Sequence, residues 1–296
     1  MIPKIIHQLW IGDKPAPLNI MNKWKEMNPD FEYIFWNERL IKKKLNLDKK
    51  YINKINSHIA IWGKADLYRY QILYKYGGIF IDADIIPIEP IDDYLLKKSF
   101  VCFEQEEVRK GLLATSVQAY EPNHIIPKTA IEWVLNNNIN ENETGIASWI
   151  LVGPGLLTNT YKNLNIPNCI DIKPSYLFLP KHHTGVMYNG HSKVYGCHEW
   201  GSTKNNYNDI NEMDIPKELM KPNEKQNFIN IDITNLEGLD TFRFLKNIIE
   251  LQGQYFINIH YNKDDDFRNI LLEWKKKTRW INIYSTIENE RSFTEL

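Results

Sequence analysis

An α/β fold with parallel strands is predicted by three features of the 296-residue sequence. The first is a β-α-β opening, in which Lys4–Trp10 and Tyr33–Trp36 read as strands around a helix at Asn19–Met27. The second lies at residues 59–76, where apolar side chains at Trp62, Ala65, Ile72, Leu73 and Tyr76 follow roughly a helical period. Gly77-Gly78 stops that helix, and Ile79-Phe80-Ile81 follows as a short, wholly apolar run of the kind buried on both faces of a parallel sheet. The third is the segment from Phe228 onward. Strand-like runs at Phe228–Ile233, Tyr255–Tyr261 and Trp280–Tyr284 alternate with helical spacing at Leu239–Leu251 and Asp266–Lys276, which implies parallel strands joined by right-handed crossovers. A polar stretch at 216–226 separates this βαβαβ module from the rest, giving an expected division into 1–215 and 222–296. Asn-rich stretches at 136–142 and 205–211 read as polar loops.

Composition fits an enzyme-sized soluble chain. With 43% hydrophobic and 12% aromatic residues, it has enough apolar surface for a sizeable core. A net charge of −1 gives no electrostatic case for nucleic acid or an anionic membrane, and Lys42-Lys43-Lys44 and Lys275-Lys276-Lys277 read as solvated helix faces. Three cysteines without a Cys-x-x-Cys argue against both a disulfide framework and a zinc site, so a reducing compartment is expected. No apolar run approaches about 18 residues and the N-terminus opens on a strand. The expectation is a cytoplasmic protein without signal peptide or membrane span.

The chemistry concentrates in the segment Ala65–Asp84. Asp82 and Asp84 stand at the carboxyl end of the Ile79–Ile81 strand, where ligands of open α/β sheets bind. Alternation along an extended segment would turn both carboxylates the same way with small Ala83 opposite. Two converging oxygen ligands suit Mg²⁺ or Mn²⁺, which share their shells with phosphate oxygens and stabilise a departing diphosphate. Taken alone, the same Asp-x-Asp also fits a solvated turn. Asp66 and Arg69, three apart on one helix face, read by spacing alone as a surface ion pair.

Four pieces, in order, carry a family resemblance. Ile2–Gly12 (IPKIIHQLWIG), Trp24–Trp36 (WKEMNPDFEYIFW) and the Ala65–Asp84 segment are three of them, and the late Val152-Gly153-Pro154 and His198-Glu199-Trp200-Gly201-Ser202 together make the fourth. Together they resemble glycosyltransferase family 32, the DXD sugar-binding-region proteins that include yeast-type initiating mannosyltransferases, and more distantly the catalytic core of the clostridial glucosylating toxins. The resemblance covers about residues 1–205; Thr203-Lys204 stand where the family usually has a second Trp after the Ser. It implies a GT-A nucleotide-diphospho-sugar transferase fold, a Rossmann-like mixed sheet. It further implies a retaining, metal-dependent enzyme that moves a hexose from a nucleotide sugar, UDP-hexose foremost, to a hydroxyl of a glycan or protein acceptor. Rival readings are a nucleotide- or carbohydrate-binding pseudoenzyme and a metal-dependent nucleotidyltransferase.

Residue by residue, the resemblance places His7, Trp10, Asp66, Arg69, Asp82 and Trp200 at the nucleotide sugar. Trp10 would stack on the base, with core packing as its other reading. Catalytic roles fall to Asp82, Asp84, Asp66 and Arg69, and metal ligation to Asp82, Asp84, His198 and Ser202. His198 also reads as a plain loop histidine, with Ser202 as a competing ligand. His182-His183 and His191 read as loop residues or acceptor contacts, and Asp264-Asp265-Asp266 as a charged helix start. The family resemblance does not extend to the C-terminal module; its expected job is acceptor recruitment or homo-oligomerisation.

Overall fold

The computed structural model describes residues 1–166, 169–190, 192–204 and 209–210, with the backbone of three strands between 228 and 285. The chain divides into two compact units, Met1–Leu219 and Met220–Leu296.

The first unit is built on a six-stranded sheet. Its early strands are β1 (Ile5–Leu9), β2 (Glu32–Trp36) and β3 (Gly78–Ile81), with α1 (Leu18–Met27) and α4 (Ile61–Tyr76) among the connecting helices, after α2 (Glu38–Lys44) and α3 (Lys49–Ser57). After the short β4 (Ile85–Pro87) come β5 (Phe100–Phe103), β6 (Leu113–Tyr120) and β7 (Asp171–Lys173). The spatial order is β2-β1-β3-β6-β5-β7. β1 runs parallel to both β2 and β3, β6 is antiparallel to β3 and β5, and β7 is parallel to β5. The expected Rossmann-like mixed sheet is therefore present.

Side chains of β3 alternate between two cores. Ile79 and Ile81 join Ile6, Trp24 and Phe100 on one face, while Phe80 joins Leu9, Trp36, Ile72 and Leu73 on the other. All four β3 residues are buried, which explains why the strand is a continuous apolar run rather than an alternating one. The helix–strand junction needs both glycines, since Gly77 and Gly78 have φ of +62° and +85°. A Cβ on Gly77 would also come within 2.7 Å of the Pro122 nitrogen.

Helix α4 corrects one detail of the sequence reading. Trp62, expected on the packed face, is 52% exposed, and the helix instead buries Leu67, Tyr70, Ile72 and Leu73 together with Asp66 and Arg69. The helix is packed on several sides, so it carries no single apolar stripe for periodicity to detect. The Asn-rich stretch 136–142 likewise ends in a short helix, α6 (Glu141–Thr144), whose first amide groups are capped by the Asn140 side chain.

His7, expected at the nucleotide, is a core residue. Its ring is fully buried, Nδ1 accepts from Trp36 Nε1–H at 3.0 Å, and Nε2 lies 2.8 Å from the Gly77 carbonyl it donates to. Both nitrogens are committed to tying β1, β2 and the α4–β3 turn together. Burial holds its pKa down to about 4 from an ordinary 6.5, with the Gly77 bond opposing. The neutral ring is therefore favoured by the fold, while the unfolded chain takes up a proton near pH 6.5. Stability from this group is present above that pH and lost as pH falls towards 4, at up to about 1.4 kcal/mol per pH unit. Chemical denaturation of wild type and His7→Gln at pH 7 and pH 5 tests this. The variant should show the shallower pH dependence, and an equal slope in both proteins would refute the buried neutral imidazole.

In the second unit, β9 (Phe228–Asp232), β10 (Phe256–Tyr261) and β11 (Ile281–Ser285) form a parallel sheet in the order β11-β10-β9. The helices expected at Leu239–Leu251 and Asp266–Lys276, the 216–226 linker and Asp264-Asp265-Asp266 lie outside the described residues. Among the described residues, no helix is long and apolar enough to cross a membrane.

Candidate active site

The site forms at the carboxyl edge of β1 and β3. His7 pairs with Phe80, so Leu9 and Asp82 stand level two residues further on, and Trp10 follows at the same edge. Asp82-Ala83-Asp84 is not an extended strand end. It is a tight turn in which the Asp82 carbonyl accepts from Ile85 N–H at 3.1 Å, so the alternation argument gives way to turn geometry as the reason the two carboxylates converge. The turn is anchored by Asp82 N–H, which donates to the Ser116 carbonyl at 2.9 Å, and by Gln8 Nε2, 3.3 Å from the Asp82 carbonyl.

β4 then brings in the C-terminal loop. It pairs antiparallel with β8 (Gly196–His198), setting Ile85 opposite His198. The close approach depends on Gly196, where a Cβ would lie 2.7 Å from Ile85 Cγ2. His198 Nε2 comes to 3.3 Å from Asp84 Oδ1, Gly201 N–H donates to Asp84 Oδ2 at 2.7 Å, and Glu199 N–H donates to the Asp84 carbonyl at 3.0 Å. Trp200, between them, has φ +59°, a left-handed conformation costly for a tryptophan. Its indole N–H donates to the Lys181 carbonyl at 2.7 Å, and its ring centroid lies 4.4 Å from that of His198. Ser202 is exposed in the short helix α9 (Gly201–Lys204), next to the Gly201 amide that holds Asp84.

On the other side, Asp66 and Arg69 are buried rather than on the surface. One guanidinium nitrogen of Arg69 bonds Asp66 and the other bonds Asp82, while the guanidinium carbon lies 4.6 Å from the centre of the Phe80 ring. Gly153, in the turn before α8 (Pro154–Leu164), lets the backbone approach this pair, since a Cβ there would sit 2.9 Å from Asp66 Oδ2. Opposite charges thus meet in pairs, Arg69 with Asp66 and Asp82 and, across the turn, His198 with Asp84.

The two turn carboxylates are driven apart electrostatically. Burial raises the Asp82 pKa, with Arg69 opposing and the neighbouring Asp84 charge adding to the rise. Burial also acts to raise Asp84, but His198 and the Gly201 N–H outweigh it and hold that carboxylate below its usual range. His198 loses to burial and gains more from Asp84, ending above an ordinary histidine.

Asp82, Asp84 and His198 each offer one ligand atom, all within 4.8 Å of one another. His198 Nδ1 is buried with no hydrogen-bond partner, so the ring has a free nitrogen in addition to the one facing Asp84. Two carboxylates and an imidazole are an acceptable set for Mg²⁺ or Mn²⁺, and the residues fit such an ion. Trp10 is half-buried, with its amide donating to the Trp36 carbonyl at 2.9 Å and its indole N–H to the Lys14 carbonyl at 2.6 Å.

Residues 17–101 match the model of the glycosyltransferase sugar-binding region containing the DXD motif. The chain carries that region. It holds Asp66, Arg69, Asp82 and Asp84, and the family resemblance read from the sequence is borne out. The chain is similar to inositol phosphoceramide mannosyltransferase 3 of Schizosaccharomyces pombe, 35% identical over 92 residues, which are 28% of this chain and 24% of the relative. It is also similar to an uncharacterized glycosyltransferase of Acanthamoeba polyphaga mimivirus, 28% identical over 70% of this chain and 83% of that protein. The match to this chain thus spans about a quarter of the fission-yeast relative's length. Among solved structures, the PaToxG glycosyltransferase aligns with a TM-score of 0.46 and 17% identity over 55% of this chain and 70% of that one.

Two contributors escaped the sequence reading. Gln8 is a buried polar side chain in an apolar strand, held by Tyr33 O–H at 2.8 Å, and that interruption was the available signal. Glu104, at the end of β5, had none, because nothing between Ile86 and Asn136 was read as strand.

Proposed function

We propose that the chain is a metal-dependent, retaining glycosyltransferase that moves a hexose from a nucleoside diphosphate hexose, UDP-hexose foremost, to an acceptor hydroxyl. The observation that carries this reading is the meeting of His198 with Asp82 and Asp84, beside the buried Asp66–Arg69 pair, the four last-named residues lying in the sugar-binding region. A divalent cation held by Asp82, Asp84 and His198 would neutralise the leaving diphosphate.

The chain's own residues would do the rest. Arg69, fixed between two carboxylates, orients Asp82 and presents positive charge towards the donor. Asp66 supplies an acceptor for sugar hydroxyls, and Trp10 a face for the base. In the transfer, the bond from the anomeric carbon to the β-phosphate oxygen breaks and a bond to the acceptor oxygen forms on the same face. The acceptor's proton passes to the departing diphosphate. The separate C-terminal unit is proposed to recruit the acceptor or a second copy of the chain.

Screening UDP- and GDP-hexoses for Mn²⁺-dependent hydrolysis tests the reading. Release of a nucleoside diphosphate supports it; release of pyrophosphate from a nucleoside triphosphate supplied with hexose 1-phosphate, without diphosphate release from the hexose donors, would make the chain a nucleotidyltransferase, and binding without turnover a pseudoenzyme. For Trp10→Ala, donor and free nucleotide should weaken alike by about 1–3 kcal/mol, roughly tenfold to a hundredfold. Unchanged nucleotide affinity with a large loss of thermal stability would assign that tryptophan to the core instead.

A further inference from the structure

Beyond the Asp82–Asp84–His198 group, the described residues contain one more set of three that could ligate a metal: Glu104, His182 and His183, with ligand atoms within 4.8 Å of one another. We propose that these three residues form a second cation site, selective for a borderline transition metal of the Zn²⁺ class, beside Trp200.

The backbone builds this site. Lys181 bridges Met187, His182 N–H donates to the Val186 carbonyl at 2.8 Å, and Gly185 N–H returns to the His182 carbonyl at 3.0 Å. This tight hairpin, closed at Gly185 with φ +94°, brings two successive histidines to one place with ring centroids 4.1 Å apart. Glu104 is fixed from the opposite side at the end of β5, where its amide donates to the Leu112 carbonyl at 2.9 Å.

His182 points to a missing partner. It is 1% exposed, and its Nε2 is buried without a hydrogen bond, 3.5 Å from Glu104 Oε1. Its Nδ1 lies 2.8 Å from Thr184 Oγ1, against 3.4 Å from the Thr184 amide. The Thr184 amide N–H donates to Nδ1, and the Thr184 hydroxyl can donate to the same nitrogen or accept from it, so Thr184 fixes the ring and Nε2 is the nitrogen that faces the cluster. With a metal on Nε2, Nδ1–H would turn to the hydroxyl, as a ligating histidine is normally held by its other nitrogen. Burial lowers both imidazoles below an ordinary histidine, which keeps them in the neutral, ligating form, and raises Glu104. Arg109 Nε stands 3.9 Å from Glu104 Oε1 and helps hold that carboxylate in its charged form.

Ligand chemistry separates the two sites. Two imidazoles and one carboxylate favour Zn²⁺, Co²⁺ or Ni²⁺ over Mg²⁺, and three protein ligands leave a fourth position open. Trp200 forms a shared wall, with its ring centroid 4.8 and 5.0 Å from those of His182 and His183 and 4.4 Å from that of His198. An ion here would pin the 181–187 hairpin to β5 and brace Trp200. The inference stands independently of glycosyl transfer.

Co²⁺ added alone to the chelator-treated full chain tests it, read by visible absorption and native mass spectrometry. The expected result is two bound ions, one giving the intense visible band of a low-coordinate site. Glu104→Gln, which keeps the side-chain shape, and His183→Ala, at a half-exposed ring, should each weaken that band's Co²⁺ affinity tenfold or more. Asp84→Asn should instead lose the other ion and keep the band. Absence of the band from wild type, unchanged affinity in either cluster variant, or loss of the band in Asp84→Asn would overturn the proposal.

Discussion

Asp84→Asn is expected to lower metal-dependent turnover on the order of a thousandfold, about 4 kcal/mol of transition-state stabilisation, while the protein stays folded. Asp84 is the hub of the loop network, with His198 on one oxygen and the Gly201 amide on the other. It is also buried, which sets aside the reading of a solvated turn. Alanine would leave the buried Gly201 N–H without an acceptor, a cost of about 1–3 kcal/mol that would mix stability into the readout. Asparagine keeps an oxygen for that amide and gives up the negative charge, so it isolates the electrostatic role. Steady-state kinetics with Mn²⁺ beside thermal unfolding checks the prediction. Full Mn²⁺-dependent activity in a folded variant would remove Asp84 from the metal site.

The sequence disclosed the strand–turn–carboxylate core because its signals are local. Gly77-Gly78 and the run Ile79–Ile81 need only neighbours in the chain to be read, and the positive φ of both glycines is the physical content of that signal. The β1-α1-β2 opening was legible for the same reason. β6 was not, since Thr115, Ser116 and Gln118 interrupt a strand whose eight residues are nevertheless all buried, so neither alternation nor an apolar run marks it. Site geometry that depends on long-range pairing was equally invisible. Whether His198 was a ligand or a loop residue could not be decided from spacing, because its place beside Asp84 is fixed by the β4–β8 pairing and by a glycine at 196. His7 shows the opposite failure. A histidine in an apolar strand was assigned to the ligand by family pattern, whereas Trp36 and Gly77 consume both its nitrogens.

Asp66→Asn should separate sugar recognition from nucleotide binding. The neutral amide keeps the size of the side chain beside Gly153, where there is no room for a larger one. If Asp66 receives donor hydroxyls, kcat/KM for the intact donor should fall about a hundredfold, near 2.7 kcal/mol, with free nucleotide affinity changed by less than about threefold. The structure adds a competing route. Asp66 holds one side of Arg69, whose other side holds Asp82, so an amide at 66 also loosens the guanidinium that orients the turn. Loss of Arg69 control would reach the nucleotide through Asp82 and weaken donor and free nucleotide together. Measuring both affinities in Asp66→Asn and in Arg69→Lys, which keeps the charge but cannot span two carboxylates with a planar fork, distinguishes the routes. Sugar contact predicts that only Arg69→Lys impairs nucleotide binding strongly; equal losses in the two variants would make Asp66 a positioning residue for Arg69.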